Sequence, residues 1–212
     1  MINNYPIVNI YEKESLKSKI SSQLIYGEGF QILNKKKSWL KIKTSYDKYI
    51  GFIKKRKFMK DIKATHKISS LFARIYSKPK NKFILSTKLP FCSLISVTEK
   101  KKEFYKFENY WIKKKDVVPI SYKQQTFKNI IIFKDIPYKW GGKTYKGIDC
   151  SALVQIFFKF NNQYCPRDTK DQIKYFKKPN NIKRNAIIFW KGHVAVCLSK
   201  TLLIHCLLYT SD

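Results

Sequence analysis

The chain is predicted to be an α+β protein: a β-rich first part built as two small barrels, then a domain that runs helices first and an antiparallel sheet afterwards. Three observations predict this. Up to about residue 120, apolar and polar residues alternate in short segments broken by turns, the period of strands with one buried face. Between Cys150 and Phe160, the residues Leu153, Ile156, Phe157 and Phe160 fall on one face of a helix. From Ala186 onward, short β-branched runs return.

Residues 1–62 are assigned to the first barrel. Its strands are read from Ile7, Val8 and Ile10, from Gln23-Leu24-Ile25, from Phe30-Gln31-Ile32-Leu33, from Trp39-Leu40-Lys41-Ile42 and from Tyr49-Ile50-Gly51-Phe52-Ile53. The Tyr26-Gly27-Glu28 turn, the Trp39-led strand and the run Asp47 to Phe52 resemble bacterial SH3-like domains. Residues 63–121 repeat the idea less clearly, with Ala73 to Pro79, Ser93 to Val97, Tyr110-Trp111-Ile112 and Asp116-Val117-Val118, and are expected to form a second, degenerate SH3-like barrel. Trp39 and Trp111 are expected to fill the two barrel cores rather than to meet a ligand.

Residues 122–212 are assigned to the third domain. A short helix is expected over Thr126 to Phe133, then the Cys150 helix, a helix over Asp171 to Phe176, and strands over Ala186 to Trp190, Val194 to Leu198 and Leu202 to Ile204. This order places Cys150 on a helix and two histidines, His193 and His205, on the sheet that faces it.

Length and composition set the outer limits. The 212 residues are 44% hydrophobic and 16% aromatic, enough for packed cores, and no apolar run approaches the eighteen or so residues of a membrane span. Met1 to Pro6 lacks the basic start and apolar stretch of a signal peptide, so a cytoplasmic location is expected. Five cysteines, Cys92, Cys150, Cys165, Cys197 and Cys206, have no CxxC spacing and suggest neither a disulfide framework nor a metal site. The net charge of +30 invites a nucleic-acid reading, but only Arg56, Arg74, Arg167 and Arg184 are arginines. Lysine dispersed among Asn and Ile reads as solvated surface, and no specific nucleic-acid partner is expected; long-range attraction for anions remains.

The chemistry lies near the C-terminal end. Tyr138-Lys139-Trp140-Gly141-Gly142 leads into Gly147-Ile148-Asp149-Cys150-Ser151, followed by Gly192-His193-Val194-Ala195 and Leu203-Ile204-His205: a nucleophile, a base and an orienting group in chain order. A thiol at a helix N-terminus beside an imidazolium is expected to have a lowered pKa. These residues, with Leu153, Val154, Gln155, Pro166-Arg167-Asp168-Thr169, Gln172 and Phe189-Trp190, resemble the NlpC family of papain-like bacterial cell-wall cysteine peptidases. The resemblance implies Cys150 as nucleophile, His193 as base and His205 as the group that holds the imidazole, with no metal or organic cofactor.

The resemblance also implies a substrate, a murein stem peptide cut after γ-D-glutamate. Members with preceding SH3-like domains require a free N-terminal L-alanine, which suits recycling of released peptides. Asp168 is the expected partner of that amine, with Glu28 and Tyr49 closing the same pocket, and Asp149, Ser151, Tyr138 and Trp140 are expected to line the cleft near the γ-D-glutamyl unit. Arg167 is expected either there or as an anchor of its loop. Alternatives are a wall-peptide binding protein and a papain-like amidase or acyltransferase; oligomeric state is not readable. Departures from the family pattern are Ala152 where Gly is usual, Asn185-Ala186 where Gly-Asp is usual, and an end soon after His205. The stretch from Cys206 resembles translated adaptor sequence and is expected not to be native.

Overall fold

A computed structural model describes residues 1–177 and 182–206. The chain divides into two compact units, Met1–Tyr122 and Lys123–Asp212.

In the first unit, β1 (Ile7–Tyr11), β2 (Ile20–Ile25), β3 (Phe30–Lys36), β4 (Trp39–Thr44) and β5 (Ile50–Lys54) form an antiparallel sheet in the order β2-β1-β5-β4-β3. Alternation drives it. Val8 and Ile10, Leu40 and Ile42, and Ile53 point to one side and close with Leu24, Phe30 and Phe58 into an apolar core. Each such aliphatic side chain contributes roughly 1.5–3 kcal/mol by leaving water. Gly51 lets β5 cross β1 closely, since a Cβ there would meet Ile10 Cγ2 at 2.4 Å.

The rest of this unit adds β6 (His66–Ile68), β7 (Phe72–Tyr76), β8 (Ile84–Pro90), β9 (Leu94–Ile95), β10 (Glu99–Lys101), β11 (Phe104–Phe107), β12 (Tyr110–Lys113) and β13 (Val117–Pro119). They pair as β10-β11-β12-β7-β8 and β13-β6-β9. The two halves of the unit are joined through the turn after β2. Tyr26 enters the second core with Ile75, Ile95, Phe107 and Ile112, and Gly27, at φ +81°, lies against the Leu94 backbone, where a Cβ would come within 2.3 Å of the carbonyl oxygen.

Both tryptophans are buried as expected, but neither joins the main core of its half. Trp39 alternates with the core residues Leu40 and Ile42 and so lies on the outer face of the first sheet, edge-on to Tyr11 at 5.5 Å. Trp111 leaves the main core to Ile112 and packs with Tyr76 and Phe104 in a separate cluster. Both rings are buried, but outside the cores that strand alternation defines.

The second unit follows the expected order. The segment before Pro137 is a single 3-10 turn over Ile130–Phe133, shorter than the helix expected there. A two-residue hairpin, β14 (Lys143–Thr144) with β15 (Gly147–Ile148), precedes α1 (Cys150–Phe160), and α2 (Thr169–Tyr175) follows. Then β16 (Ile187–Trp190), β17 (His193–Cys197) and β18 (Leu203–Ile204) form an antiparallel sheet with β17 in the middle. Helix α1 packs on β17. The expectation that the tail is not native falls on residues 207–212, outside the described residues, apart from Cys206, which is buried.

Candidate active site

The site is organised by the start of α1. Asp149 caps the helix, its Oδ1 accepting from the Ala152 amide at 2.8 Å. The same carboxylate accepts from Ser151 Oγ at 3.1 Å, from the Gly141 amide at 2.9 Å, and from both terminal nitrogens of Arg167 at 3.0 and 2.5 Å. Five donors saturate a carboxylate. Arg167 and Asp149 side chains are 3% and 9% exposed, so this is a buried ion pair whose hydrogen bonds offset desolvation. Arg167 also donates to Ser151 Oγ, and Gln172 Nε2 donates to the carbonyls of Ser151 and Pro166, both at 2.9 Å. Arg167 thereby anchors its loop to α1. Upstream, Gly142 is required sterically, because a Cβ would meet the Gly147 carbonyl oxygen at 2.4 Å.

This network leaves Cys150 as the first residue of the helix, 6% exposed. Its sulfur lies 3.9 Å from Thr169 Oγ1. Here the expected lowering of the thiol pKa is overturned: burial pushes it up from 9.0, and the Asp149 carboxylate adds to the rise, while the amides of Val194 and Ser151 and the Thr169 hydroxyl pull the other way. Loss of hydration outweighs the hydrogen bonds to the sulfur, so the thiol is shifted toward its neutral form. The Val194 contact matters for assembly, because Val194 follows His193 and brings the start of β17 onto the sulfur.

The sheet register pairs the histidines. Val196 lies opposite Ile204, so His205, one residue past β18, is diagonal to His193 on the same face. His193 Nε2 and His205 Nδ1 share a hydrogen bond of 3.2 Å, which leaves Nδ1 of His193 for another partner. Burial, and then His205, lower the His193 pKa below 6.5, so the imidazole is neutral at neutral pH. Trp190, which sequence reasoning did not single out as a site residue, lies opposite His193 in the β16–β17 ladder, with ring centroids 4.9 Å from His193 and 6.2 Å from His205. Its place before Lys191-Gly192-His193, a tight β-turn connection, was the available signal. Thr169 was likewise missed.

The remaining expected residues are placed as follows. Tyr138 bridges to Ile148, and burial with the neighbouring Asp149 and Cys150 pushes its hydroxyl up to about 12, so it stays an O–H donor. Trp140 is 62% exposed at the surface of the same unit. The side-chain oxygens of Asp149 and Ser151 are engaged within the protein, as are the Asp149 amide and the carbonyls of both. Asp168 holds the N-cap position of α2 but makes no capping bond; burial raises its pKa above 3.8, with Arg167 and Lys170 opposing. Glu28 and Tyr49 belong to the first unit. Glu28 is buried and its Oε2 accepts from the Ile25 amide at 2.7 Å, and Tyr49 packs against the first core. Among the described residues, no three His, Cys, Asp or Glu are grouped to hold a metal ion, and no helix is long and apolar enough to cross a membrane.

A thiol at a helix start, brought against a strand that carries a paired imidazole, is the constellation of a cysteine hydrolase. Residues 135–211 match the NlpC/P60 family and residues 10–58 match the bacterial dipeptidyl-peptidase Sh3 domain. The chain therefore carries an NlpC/P60 peptidase domain behind an Sh3 domain, and it is a cysteine-type peptidase. It is 25% identical over 236 aligned positions to dipeptidyl-peptidase 6 of Lysinibacillus sphaericus, covering 94% of this chain and 84% of that protein. It is 28% identical to the gamma-D-glutamyl-L-lysine dipeptidyl-peptidase of Bacillus subtilis (strain 168), covering 73% of this chain and 58% of that protein. A crystal structure of an NlpC/P60 family protein from Bacillus cereus ATCC 10987 shares the fold, with a TM-score of 0.83 at 15% identity over 96% of this chain and 89% of that one.

Proposed function

We propose that this peptidase hydrolyses the γ-D-glutamyl–diamino acid bond of murein peptides that carry a free N-terminal L-alanine, as in the recycling of released wall peptides. The observation that best supports this reading is the backbone contact of Val194, the residue after His193, with the Cys150 sulfur, together with the His205 hydrogen bond that leaves Nδ1 of His193 for another partner. The bond specificity is supported by the named activity of the Bacillus subtilis relative.

In this mechanism Nδ1 of neutral His193 takes the Cys150 proton as the sulfur attacks the amide carbonyl. Nε2–H of His193 then donates to His205, which fixes the tautomer and the ring plane. Tyr138 stays protonated and is a donor for the developing oxyanion. The imidazolium returns its proton to the leaving amine, and the C–N bond breaks to leave a thioester. Water, deprotonated by His193, releases the γ-glutamyl acid and restores the thiol.

Asp168 is the proposed partner of the substrate amine. Its carboxylate is not spent on capping α2, and a substrate ammonium would offset the burial that now disfavours its charge. The test is hydrolysis of L-Ala-γ-D-Glu-diaminopimelate against its N-acetylated form, read by mass spectrometry. Acetylation removes the charge and is expected to lower kcat/KM by about a hundredfold. Equal cleavage of the two peptides overturns the requirement for a free amine.

A further inference from the structure

The outer face of the first sheet holds a cavity of about 160 Å³, lined by Glu14, Asn34, Lys36, Trp39, Lys41 and Phe52. Strand register assembles it. Trp39 and Lys41 face away from the core residues Leu40 and Ile42, and on β5 Phe52 lies opposite Lys41 and Lys54 opposite Trp39. On β3 the register slips between Ile32 and Asn34. Ile32 lies opposite Ile42 and packs on the core, yet Asn34 lies opposite Lys41 and Lys36 opposite Trp39. In an unbulged strand Asn34 and Lys36 would share the inward face of Ile32; the bulge at Leu33 turns both outward onto Trp39. Glu14 reaches the same place from the β1–β2 connection and pairs with Lys36 at 2.9 Å.

The lining is chemically mixed in a way a mere surface dent is not. Two aromatic rings form its walls, and each has an ammonium near it, Lys54 Nζ at 4.7 Å from the Trp39 ring centre and Lys41 Nζ at 6.0 Å from that of Phe52. Asn34 offers both a donor and an acceptor, and Glu14 offers acceptors. Three lysines against one carboxylate leave the site positive, within a chain of net charge +30. Ring walls suit the apolar face of a pyranose, the amide and carboxylate suit hydroxyls, and the ammonium groups suit an anion. Trp39 is 8% exposed and lies beneath Lys54, so the half-buried Phe52 is the ring a pyranose would meet.

We propose that this pocket binds one ring of an acidic saccharide, a sugar that bears a carboxylate or a phosphate. The site lies on β3, β4 and β5 and does not depend on the thiol chemistry. The test is titration of the full chain with trigalacturonate, glucose 6-phosphate, neutral maltotriose and hexauridylate, followed by calorimetry and amide NMR shifts. At least one acidic sugar is expected to bind with shifts on β3 to β5, the two of them separating carboxylate from phosphate as the recognised anion, and maltotriose is expected to bind at least about tenfold more weakly. Lys41→Glu should weaken the acidic sugar by about tenfold or more, whereas Lys101→Glu, an exposed site on β10 with the same charge change, should leave it within about twofold. Equal losses in the two variants would mean diffuse attraction and overturn the proposal. So would binding of hexauridylate alone, or of neither acidic sugar.

Discussion

The core of the first sheet and the start of α1 are both buried, but they are held by opposite means. The sheet closes on Val8, Ile10, Leu24, Phe30, Leu40, Ile42, Ile53 and Phe58, side chains that need only be apolar and of suitable volume. The helix start buries Asp149, Ser151, Arg167 and Gln172, each of which needs a particular partner at hydrogen-bond distance. An apolar interior degrades gradually under substitution. A polar one fails in a single step, because the partner left behind is buried and unpaired. The helix start accepts this fragility because it positions a sulfur.

The largest effect separates position from chemistry. Cys150→Ser and His193→Ala should each lower peptide hydrolysis by on the order of a thousandfold or more, with melting temperature nearly unchanged, since neither side chain belongs to the Asp149 network. Residual turnover near wild type in either variant would remove the substituted residue from the reaction. The next effect breaks the network itself. Arg167→Met should destabilise by about 3–5 kcal/mol, because the Asp149 carboxylate would lose its buried partner, and the Asp149→Leu, Arg167→Met double variant should recover part of that loss. Additive losses in denaturant titrations would show that the pair is not coupled. Ile42→Ala in the sheet should cost roughly 3 kcal/mol, a cavity without an orphaned charge, and no second substitution of a polar partner should restore it.

The same contrast explains what was legible in the sequence. Helix α1 and strands β16 to β18 follow from apolar periodicity and β-branched runs, which act locally. The hairpin of β14 and β15 was not legible, because each strand is two residues long and reads as loop. Strand β10 was hidden because all three of its residues are charged and exposed. Trp39 was assigned to a core because a buried indole beside Leu40 looks like one; only the pairing register, bulged at Leu33, shows that it faces outward. At the site, Cys150, His193 and His205 were legible from motif order. The sign of the thiol shift was not, because a helix start can be seen in a sequence, whereas its depth below the surface depends on what packs over it.

The smallest effect tests how His205 acts. It touches His193 at Nε2 and is the second cause, after burial, of the lowered His193 pKa. The base must be neutral, so kcat/KM rises with pH through the His193 pKa, and in the wild type that limb should lie below 6.5. His205→Gln keeps an acceptor for Nε2–H and should cost only about tenfold in kcat. It also removes the nearby imidazole, so one of the two depressing causes disappears while burial remains. The acid limb should then move to higher pH without passing 6.5, and His205→Ala should show the same displacement with a larger loss of rate, because the imidazole loses its hydrogen-bond partner as well. A pH–rate profile that keeps its acid limb in place in both variants would show that His205 orients His193 without influencing its charge. An unchanged rate in His205→Ala would remove it from the site altogether.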